Sequence, residues 1–227
     1  APIVVKQSGL AGGKGVVVPD DEAETEAAIM DACAIGQVVL EEMLRGSECS
    51  LMALCDGTIA VPLPIAQDHK RIGEGDLGAN TGGMGAYAPV SVPYALDELS
   101  ATFIQPVIDH FARLGTPYKG VLYAGLMLTK EGPRLLEYNC RFGDPEAQVL
   151  LSLISTDLVE IALACVSGTL ESVRVQTKPI SAVAVVMTAA QYPLTPQIGD
   201  EVSGVGDAGL YSNIFHGGTQ KKNGILV

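Results

Sequence analysis

The sequence predicts an α/β fold in which short strands alternate with helices and a β-rich segment ends the chain. Short runs of β-branched residues, such as residues 3–5 and 38–40, are typical of buried strands. Other segments, such as residues 96–114, place apolar residues at helical spacing. Hydrophobic residues make up 48% of the 227 positions and charged residues 18%, which excludes a disordered chain. A chain of this length can fill one core, or two smaller cores around a cleft.

The first part of the chain is predicted to form strands around a glycine-rich loop, with a helix after them. The expected elements are a strand (3–5), a glycine-rich loop (9–15), a strand (16–18), a helix (20–33) and a strand (38–40). The helix has Asp20 as its expected cap, acids in its first turn and alanines after them. The last strand runs directly into Glu41 and Glu42.

The middle of the chain is predicted to contain a hairpin, a long loop and a kinked helix. Residues 51–63 indicate two strands joined at an Asp-Gly pair, which is a strong hairpin signal. Residues 64–93 are rich in Gly, Asp, Pro and Asn, with few apolar anchors, which predicts a long functional loop without regular structure. Pro106 is expected to kink the helix over residues 96–114.

The last part is predicted to form a strand pair, two helices and a β-rich tail. The expected elements are strands at 121–129 and 134–139, helices at 144–154 and 156–168, and strands with glycine-rich turns over 180–227. Asp144 is the expected cap of the first of these helices, and Gly168 is expected to end the second.

Charge, hydrophobic runs and cysteine content exclude several classes of protein. A net charge of -12 argues against a general affinity for nucleic acid phosphates. No apolar run approaches the roughly 18–20 residues that span a bilayer, and the first residues do not form a signal peptide. Five cysteines without a C-x-x-C pair favour reduced thiols over a disulfide or metal framework. These features predict a cytoplasmic protein that binds neither nucleic acid nor a membrane.

The glycine-rich segment 8–15 is the first candidate for phosphate binding. It differs from a Walker A loop at Ser8 and Gly15, and a strand follows it where a P-loop enzyme has a helix. A glycine lid with one lysine can still surround phosphates with backbone N–H groups, although an ordinary hairpin loop is the alternative. Lys6 favours the functional interpretation, because an unpaired charge at the end of an apolar strand would be costly.

Glu137 and Asn139 form the second candidate. Residues two apart on a strand point to the same face, so a carboxylate and an amide oxygen would lie side by side. Mg²⁺ is a hard cation that suits such a pair, with phosphates and water as its other ligands. An exposed strand face is the ordinary alternative, but Arg141, Asp144 and Glu146 follow at once and favour a site.

The third candidate lies in the long loop. Residues 67–71 carry charged and polar groups, and the glycines of residues 80–85 give the backbone freedom, which suits a lid over a polar substrate. His69 is expected near the substrate because of its place in this run. His110 and His216 are expected to have no chemical role.

Taken together, these residues resemble the glycinamide ribonucleotide synthetases, which are ATP-grasp ligases of purine synthesis. Four segments carry the resemblance, which extends over nearly the whole chain: residues 4–18, 63–87, 120–151 and 216–224. The family implies an ATP-grasp fold and ATP-dependent joining of glycine to 5-phosphoribosylamine through an acyl phosphate. Its cofactors would be ATP and Mg²⁺, with Mn²⁺ as a substitute for Mg²⁺, and its partners would be those two small molecules.

The resemblance also implies a role for individual residues. Those that would contact ATP are Lys6, Gly12, Gly13 and Lys14 at the phosphates, Glu41, Glu42, Met43 and Leu44 at the adenine, and Glu48 at the ribose. Those that would hold the metal are Glu137 and Asn139. Those that would face the acyl phosphate and substrates are Arg141, Asp144, Asp68 and Lys70.

Three departures from the family are expected, and they define the domain organisation. The N-terminal domain and the end of the C-terminal domain are absent, and the chain is shorter than the family between Asp31 and Val38. The expected division is a nucleotide-lid subdomain (1–50), a metal and substrate subdomain (51–170) and a truncated β-rich C-terminal domain (171–227). The alternatives are another ATP-grasp carboxylate–amine ligase and a non-catalytic nucleotide-binding fragment.

Overall fold

The computed structural model of the protein describes residues 3–9 and 15–227. Its helices and strands are β1 (Ile3–Gln7), β2 (Val16–Val17), α1 (Glu22–Ile35), β3 (Val38–Glu42), β4 (Ser47–Asp56), β5 (Ala60–Pro62), β6 (Gln67–Asp68), β7 (Arg71–Gly73), β8 (Leu77–Asn80), β9 (Gly85–Ala88), α2 (Leu96–Phe103), α3 (Gln105–Arg113), β10 (Lys119–Thr129), β11 (Gly132–Asn139), α4 (Glu146–Leu153), α5 (Leu158–Ser167), β12 (Ala182–Val185), α6 (Val205–Ala208), β13 (Lys221–Lys222) and β14 (Ile225–Leu226).

The N-terminal part is a small antiparallel sheet with one helix. Its strand order is β2-β1-β3, and α1 packs against β1. The cap of α1 is Asp21, one residue later than expected, and its side chain accepts a hydrogen bond from the Glu24 backbone N–H at 2.8 Å. The predicted strands and helix are confirmed here. The middle of the glycine-rich loop, with Gly12, Gly13 and Lys14, lies outside the described residues.

The centre of the molecule is a four-stranded antiparallel sheet of order β11-β10-β4-β5. The predicted hairpin at the Asp-Gly pair is confirmed, and Gly57 has a φ of 97°, which favours glycine. The Asp56 carboxylate accepts hydrogen bonds from the Thr58 and Ile59 N–H groups, both at 2.9 Å, and so holds the turn.

One face of the central sheet packs against α2 and α3. The core there is apolar and includes side chains of β4, β10 and both helices: Leu51, Ala53, Leu122, Leu126, Leu99, Ile104 and Ile108. The predicted kink is a break between α2 and α3 at Ile104, two residues before Pro106. The break precedes Pro106 because proline fits in the first turn of a helix. Backbone N–H groups there make no hydrogen bond within the helix, so the missing N–H of proline costs nothing.

The opposite face of the sheet packs against α4 and α5. The buried core on this side includes Met52, Leu54, Val149, Leu150, Leu153 and Ile161. Asp157 caps α5, accepting from the Val159 N–H at 2.7 Å. As predicted, Gly168 ends the helix, with a φ of 74°.

The expectation of a structureless loop over residues 64–93 is wrong. The segment contains β6, β7, β8 and β9, and β9 lies between β12 and β6 in a second sheet. The strands are two to four residues long, too short for an alternating pattern to show in the sequence. Their pairing nevertheless provides hydrogen bonds for backbone N–H and C=O groups that a buried irregular loop would leave unpaired.

In the C-terminal part, β12, β13 and β14 agree with the predicted strands, whereas the four-residue helix α6 was not predicted. All five cysteines are free thiols. Within residues 3–9 and 15–227, no helix has the length and apolar character needed to cross a membrane. The expected boundary at residue 50 falls inside β4, and the proposed division into three domains stays a prediction.

Candidate active site

Polar groups lie on the same face of the central sheet as α4 and α5. The strand register places Ser50 of β4, Gly125 of β10 and Glu137 of β11 in one row across the sheet. The next row contains Met52, Tyr123 and Asn139, and the row on the other side pairs Glu48 with Met127. Because side chains alternate along strands, all of these positions point to the same side, which we call the site face. The site face is apolar under α4 and α5 and polar beyond them.

Glu137 and Asn139 lie side by side on the site face, as predicted. The Asn139 amide Nδ2 donates a hydrogen bond to Glu137 Oε1 at 3.1 Å. This contact uses the amide nitrogen, so the amide oxygen and the second carboxylate oxygen can serve a cation. Glu137 is exposed and Asn139 half-buried. Two adjacent oxygen donors on an open face fit Mg²⁺, which takes few protein ligands and completes its shell with phosphate and water.

A β-bulge in β11 connects this pair to Lys6. The register of β10 and β11 shifts next to Gly125, which leaves Leu136 without a partner in the ladder. The Leu136 carbonyl accepts a hydrogen bond from Lys6 Nζ at 3.0 Å. Lys6 Nζ also lies 2.7 Å from a carboxylate oxygen of Glu41. The half-buried charge of Lys6 is therefore paired with Glu41, and its other contact is with the residue that precedes Glu137.

The segment after β3 carries the residues expected at the adenine. Glu41 and Glu42 end β3, and Met43 and Leu44 follow it without regular structure. Glu42 is exposed, whereas Glu41, Met43 and Leu44 are half-buried. The Glu41 carboxylate contacts Lys6 through one oxygen, and the Glu41 backbone lies at the end of the strand.

Lys70 joins the loop of the third candidate to β4. Its Nζ donates to Glu48 Oε2 at 3.0 Å and to Asp68 Oδ1 at 3.2 Å. Burial would by itself lower the pKa of Lys70, but the two carboxylates raise it well above its ordinary value. The lysine therefore stays protonated, and Oε1 of Glu48 is left for another donor. His69 is exposed and stacks on Tyr87, with ring centroids 6.1 Å apart.

A buried polar cluster lies on the site face, where the start of α4 packs against it. Glu146, at the start of α4, is 2% exposed, and its Oε1 accepts hydrogen bonds from Ser50 Oγ and the Tyr123 hydroxyl, both at 2.9 Å. Burial, and secondly the Glu146 carboxylate, raise the pKa of Tyr123 above its ordinary value. The phenol thus remains a donor. Gly143 packs so closely on this carboxylate that a Cβ there would lie 2.6 Å from Glu146 Oε1.

The turn between β11 and α4 carries Arg141 and Asp144, both exposed. The expectation that Asp144 caps α4 is wrong, because Pro145 occupies the cap position and makes no side-chain cap. The Asp144 carboxylate instead accepts from Gln148 Nε2 at 2.9 Å. Arg141 donates to the Phe142 carbonyl at 2.8 Å. The turn also touches the long loop, since a Cβ at Gly83 would lie 3.0 Å from the Asp144 carbonyl oxygen.

The structure thus brings Lys6, Glu48, Asp68, Lys70, Glu137, Asn139 and the Arg141–Asp144 turn to one side of the sheet. The sequence analysis missed Ser50, Tyr123 and Gly125. A signal existed for Ser50 and Tyr123, since each is polar within an otherwise apolar strand and so needs a buried partner. The role of Gly125 could be recognised only from the strand register, which the sequence does not reveal.

Comparison with known proteins identifies the family. Residues 1–147 match the sequence model of the phosphoribosylglycinamide synthetase, ATP-grasp (A) domain. Phosphoribosylamine–glycine ligases from Mesorhizobium japonicum and Synechocystis sp. are 47% and 48% identical to the chain, over 237 and 234 aligned positions. Both alignments cover 100% of this chain and 56% of the relative. The chain therefore spans about half the length of the curated relatives it matches.

Solved structures give the same assignment. A phosphoribosylamine–glycine ligase from Thermotoga maritima has a TM-score of 0.86 at 35% identity, covering 99% of this chain and 58% of that one. An ADP complex of N5-carboxyaminoimidazole ribonucleotide synthetase, at 18% identity and a TM-score of 0.56, covers 82% of this chain and 46% of that one and shares the fold alone. The expected ATP-grasp fold is confirmed, and the chain belongs to the phosphoribosylglycinamide synthetase family of ATP-grasp proteins.

Proposed function

We propose that this chain forms the nucleotide-binding and catalytic part of an enzyme that joins glycine to 5-phosphoribosylamine, with ATP as the energy source. The observation that carries the proposal is the site face, where Glu137 and Asn139 lie beside Lys6 and the loop of Asp68 and Lys70. The identity of 47–48% to phosphoribosylamine–glycine ligases supports this choice of substrates within the ATP-grasp proteins.

The reaction has two steps. A carboxylate oxygen of glycine attacks the γ-phosphorus of ATP, the bond from that phosphorus to the β–γ bridging oxygen breaks, and ADP leaves. The amine of 5-phosphoribosylamine then attacks the glycyl carbonyl carbon and loses a proton. Phosphate leaves with the oxygen that came from glycine. Little covalent chemistry falls on the protein, so positioning and charge neutralisation carry most of the catalysis.

On the nucleotide side, Lys6 and Lys14 would neutralise phosphate charge, with Gly12 and Gly13 in the lid over the phosphates. Lys6 is held by Glu41 at 2.7 Å and by the Leu136 carbonyl at 3.0 Å, so its position is set before a nucleotide arrives. The backbone from Glu41 to Leu44, including Glu42 and Met43, would take the adenine. Glu48 would accept from the ribose through the oxygen that does not contact Lys70.

Glu137 and Asn139 would hold Mg²⁺, for which Mn²⁺ can substitute. When bound, the cation supplies charge neutralisation to the transferring phosphate. The two ligands suffice because ATP supplies further oxygens. Among the described residues, no group of three or more His, Cys, Asp or Glu side chains could hold a metal by itself, which fits a cation that arrives with its nucleotide.

On the substrate side, Lys70 and Arg141 would stabilise the negative charge of the acyl phosphate, and Asp68 and Asp144 would orient the amine and the substrate. Asp68 is well placed for this because its side chain is only 6% exposed and already paired with Lys70 at 3.1 Å. We further propose that the enzyme works in the cytoplasm, on small molecules rather than on a nucleic acid or membrane. Its five free thiols support a reducing compartment.

The test separates this function from its two alternatives. The full-length protein is incubated with ATP and Mg²⁺, and ADP release is measured with and without glycine and 5-phosphoribosylamine. We expect ADP release only when glycine is present, and stoichiometric product only when both substrates are present. Release driven by another amino acid or carboxylate would favour a different ATP-grasp ligase. Nucleotide binding without any turnover would favour a non-catalytic module.

A further inference from the structure

Gly125 occupies the central place of the site face without contributing a side chain. On β10 it lies between Ser50 of β4 and Glu137 of β11, directly opposite both. The neighbouring positions of β10 on the same face carry Tyr123 and Met127. Gly125, which is itself buried, therefore leaves the row that contains the Glu137 carboxylate without a side chain at its centre.

Neither backbone conformation nor packing requires a glycine at this position. Gly125 is in the middle of a strand and does not have a positive φ. A Cβ there would lie 3.7 Å from Glu137 Cγ and 3.9 Å from Leu136 Cβ, which are ordinary van der Waals distances. A glycine inside a strand is unfavourable, because it loses more backbone entropy on folding and packs nothing. Although Gly125 is buried, its missing side chain leaves the Cβ position free, since the nearest atoms outside its chain neighbours lie 3.7 Å from that position.

That space adjoins the oxygen pair of Glu137 and Asn139. A carboxylate at position 125 would lie beside Glu137, since directly opposed residues of an antiparallel pair have Cβ atoms about 4.5–5.5 Å apart. It would give the cation a third protein ligand. With glycine in its place, the protein offers one carboxylate and one amide, and the remaining ligands must come from elsewhere.

We propose that Gly125 makes metal binding depend on the nucleotide: its missing side chain reserves the place beside Glu137 for nucleotide phosphate oxygens, so cation and nucleotide bind together. This inference rests on the proposed metal role of Glu137 and Asn139, but it does not require the ligation reaction. A side chain at position 125 would either complete a site for the free cation or exclude the phosphates.

The test measures Mn²⁺ binding to the full-length protein by the loss of the free Mn²⁺ electron paramagnetic resonance signal, without nucleotide and with ADP. We expect Gly125→Asp to raise the nucleotide-free affinity for Mn²⁺ about tenfold or more, because it adds a charge at short range. Gly125→Asn, which has the same shape without the charge, should raise it far less. Gly125→Ala should leave nucleotide-free binding unchanged and weaken Mn²⁺ binding with ADP several-fold.

Thermal midpoints of the variants report folding, and the Cβ distances indicate that Gly125→Ala folds normally. The proposal is overturned if Gly125→Asp binds free Mn²⁺ no better than wild type. It is also overturned if Gly125→Asn improves binding equally, or if Gly125→Ala keeps wild-type affinity for Mn²⁺ with ADP. A protein that shows the expected Mn²⁺ behaviour but does not consume glycine would overturn the proposed function and leave this inference standing.

Discussion

Replacing Glu137 by glutamine is expected to lower turnover of the full-length enzyme by ~100-fold or more. The substitution keeps the shape of the side chain and an oxygen that can accept from Asn139 Nδ2, now 3.1 Å from Glu137 Oε1. It removes the negative charge that faces the cation, and at short range in an effective dielectric near 20 this costs a few kcal/mol. Because Glu137 is exposed and supports no core contact, the thermal midpoint without nucleotide should change little.

Glu131→Gln is the matched control, since Glu131 is an exposed glutamate in the turn of the same β10–β11 hairpin. It should keep normal turnover. Asn139→Ala should also reduce turnover. Because both variants are expected to bind magnesium more weakly, both losses of turnover should become smaller at high magnesium concentration. Near-normal turnover of both variants at limiting magnesium would place the metal elsewhere.

Replacing Gly143 by alanine is expected to destabilise the fold by about 3 kcal/mol or more. The new methyl group would overlap the Glu146 carboxylate, whose Oε1 would be 2.6 Å from the Cβ. That carboxylate cannot move aside without losing its hydrogen bonds to Ser50 and Tyr123, both at 2.9 Å and buried. For a chain of this size, the thermal midpoint should fall by about 6–12 °C.

Gly206→Ala is the control for the loss of a glycine, because a Cβ at Gly206 would meet nothing within 4 Å. Its thermal midpoint should stay near that of the wild type. A double-mutant cycle with Glu146→Ala tests the mechanism, since removing the carboxylate also removes the clash. The effects of Gly143→Ala and Glu146→Ala should therefore be strongly non-additive. Additive effects would show that the overlap with Glu146 is not the cause.

The sequence was informative wherever a local pattern decides the structure. Period-two spacing placed Glu137 and Asn139 on one strand face, and the Asp-Gly pair located the turn after β4. Gly168 marked the end of α5, because the conformation that ends a helix depends on residues within one helical turn. The placement of the candidate metal pair was therefore predictable without a structure.

Features that depend on contacts between distant parts of the chain were not predictable. Ser50 and Glu146 are 96 residues apart in sequence yet share a hydrogen bond. The importance of Gly125 follows only from the strand register, and the bulge at Leu136 has no sequence signature. Asp144 has the residue type of a cap, but the chain enters α4 through Pro145 and directs the aspartate to Gln148 instead.

The central claim, that ATP activates the carboxylate of glycine, is tested most directly by the fate of its oxygen. The full-length enzyme is supplied with ATP, Mg²⁺, 5-phosphoribosylamine and glycine whose two carboxylate oxygens are oxygen-18, and the inorganic phosphate is analysed by mass spectrometry. If the γ-phosphoryl group is transferred to glycine, each phosphate released carries one oxygen-18 atom and the amide product retains the other. Product formed with unlabelled phosphate, or ADP and unlabelled phosphate released without glycine, would contradict the account.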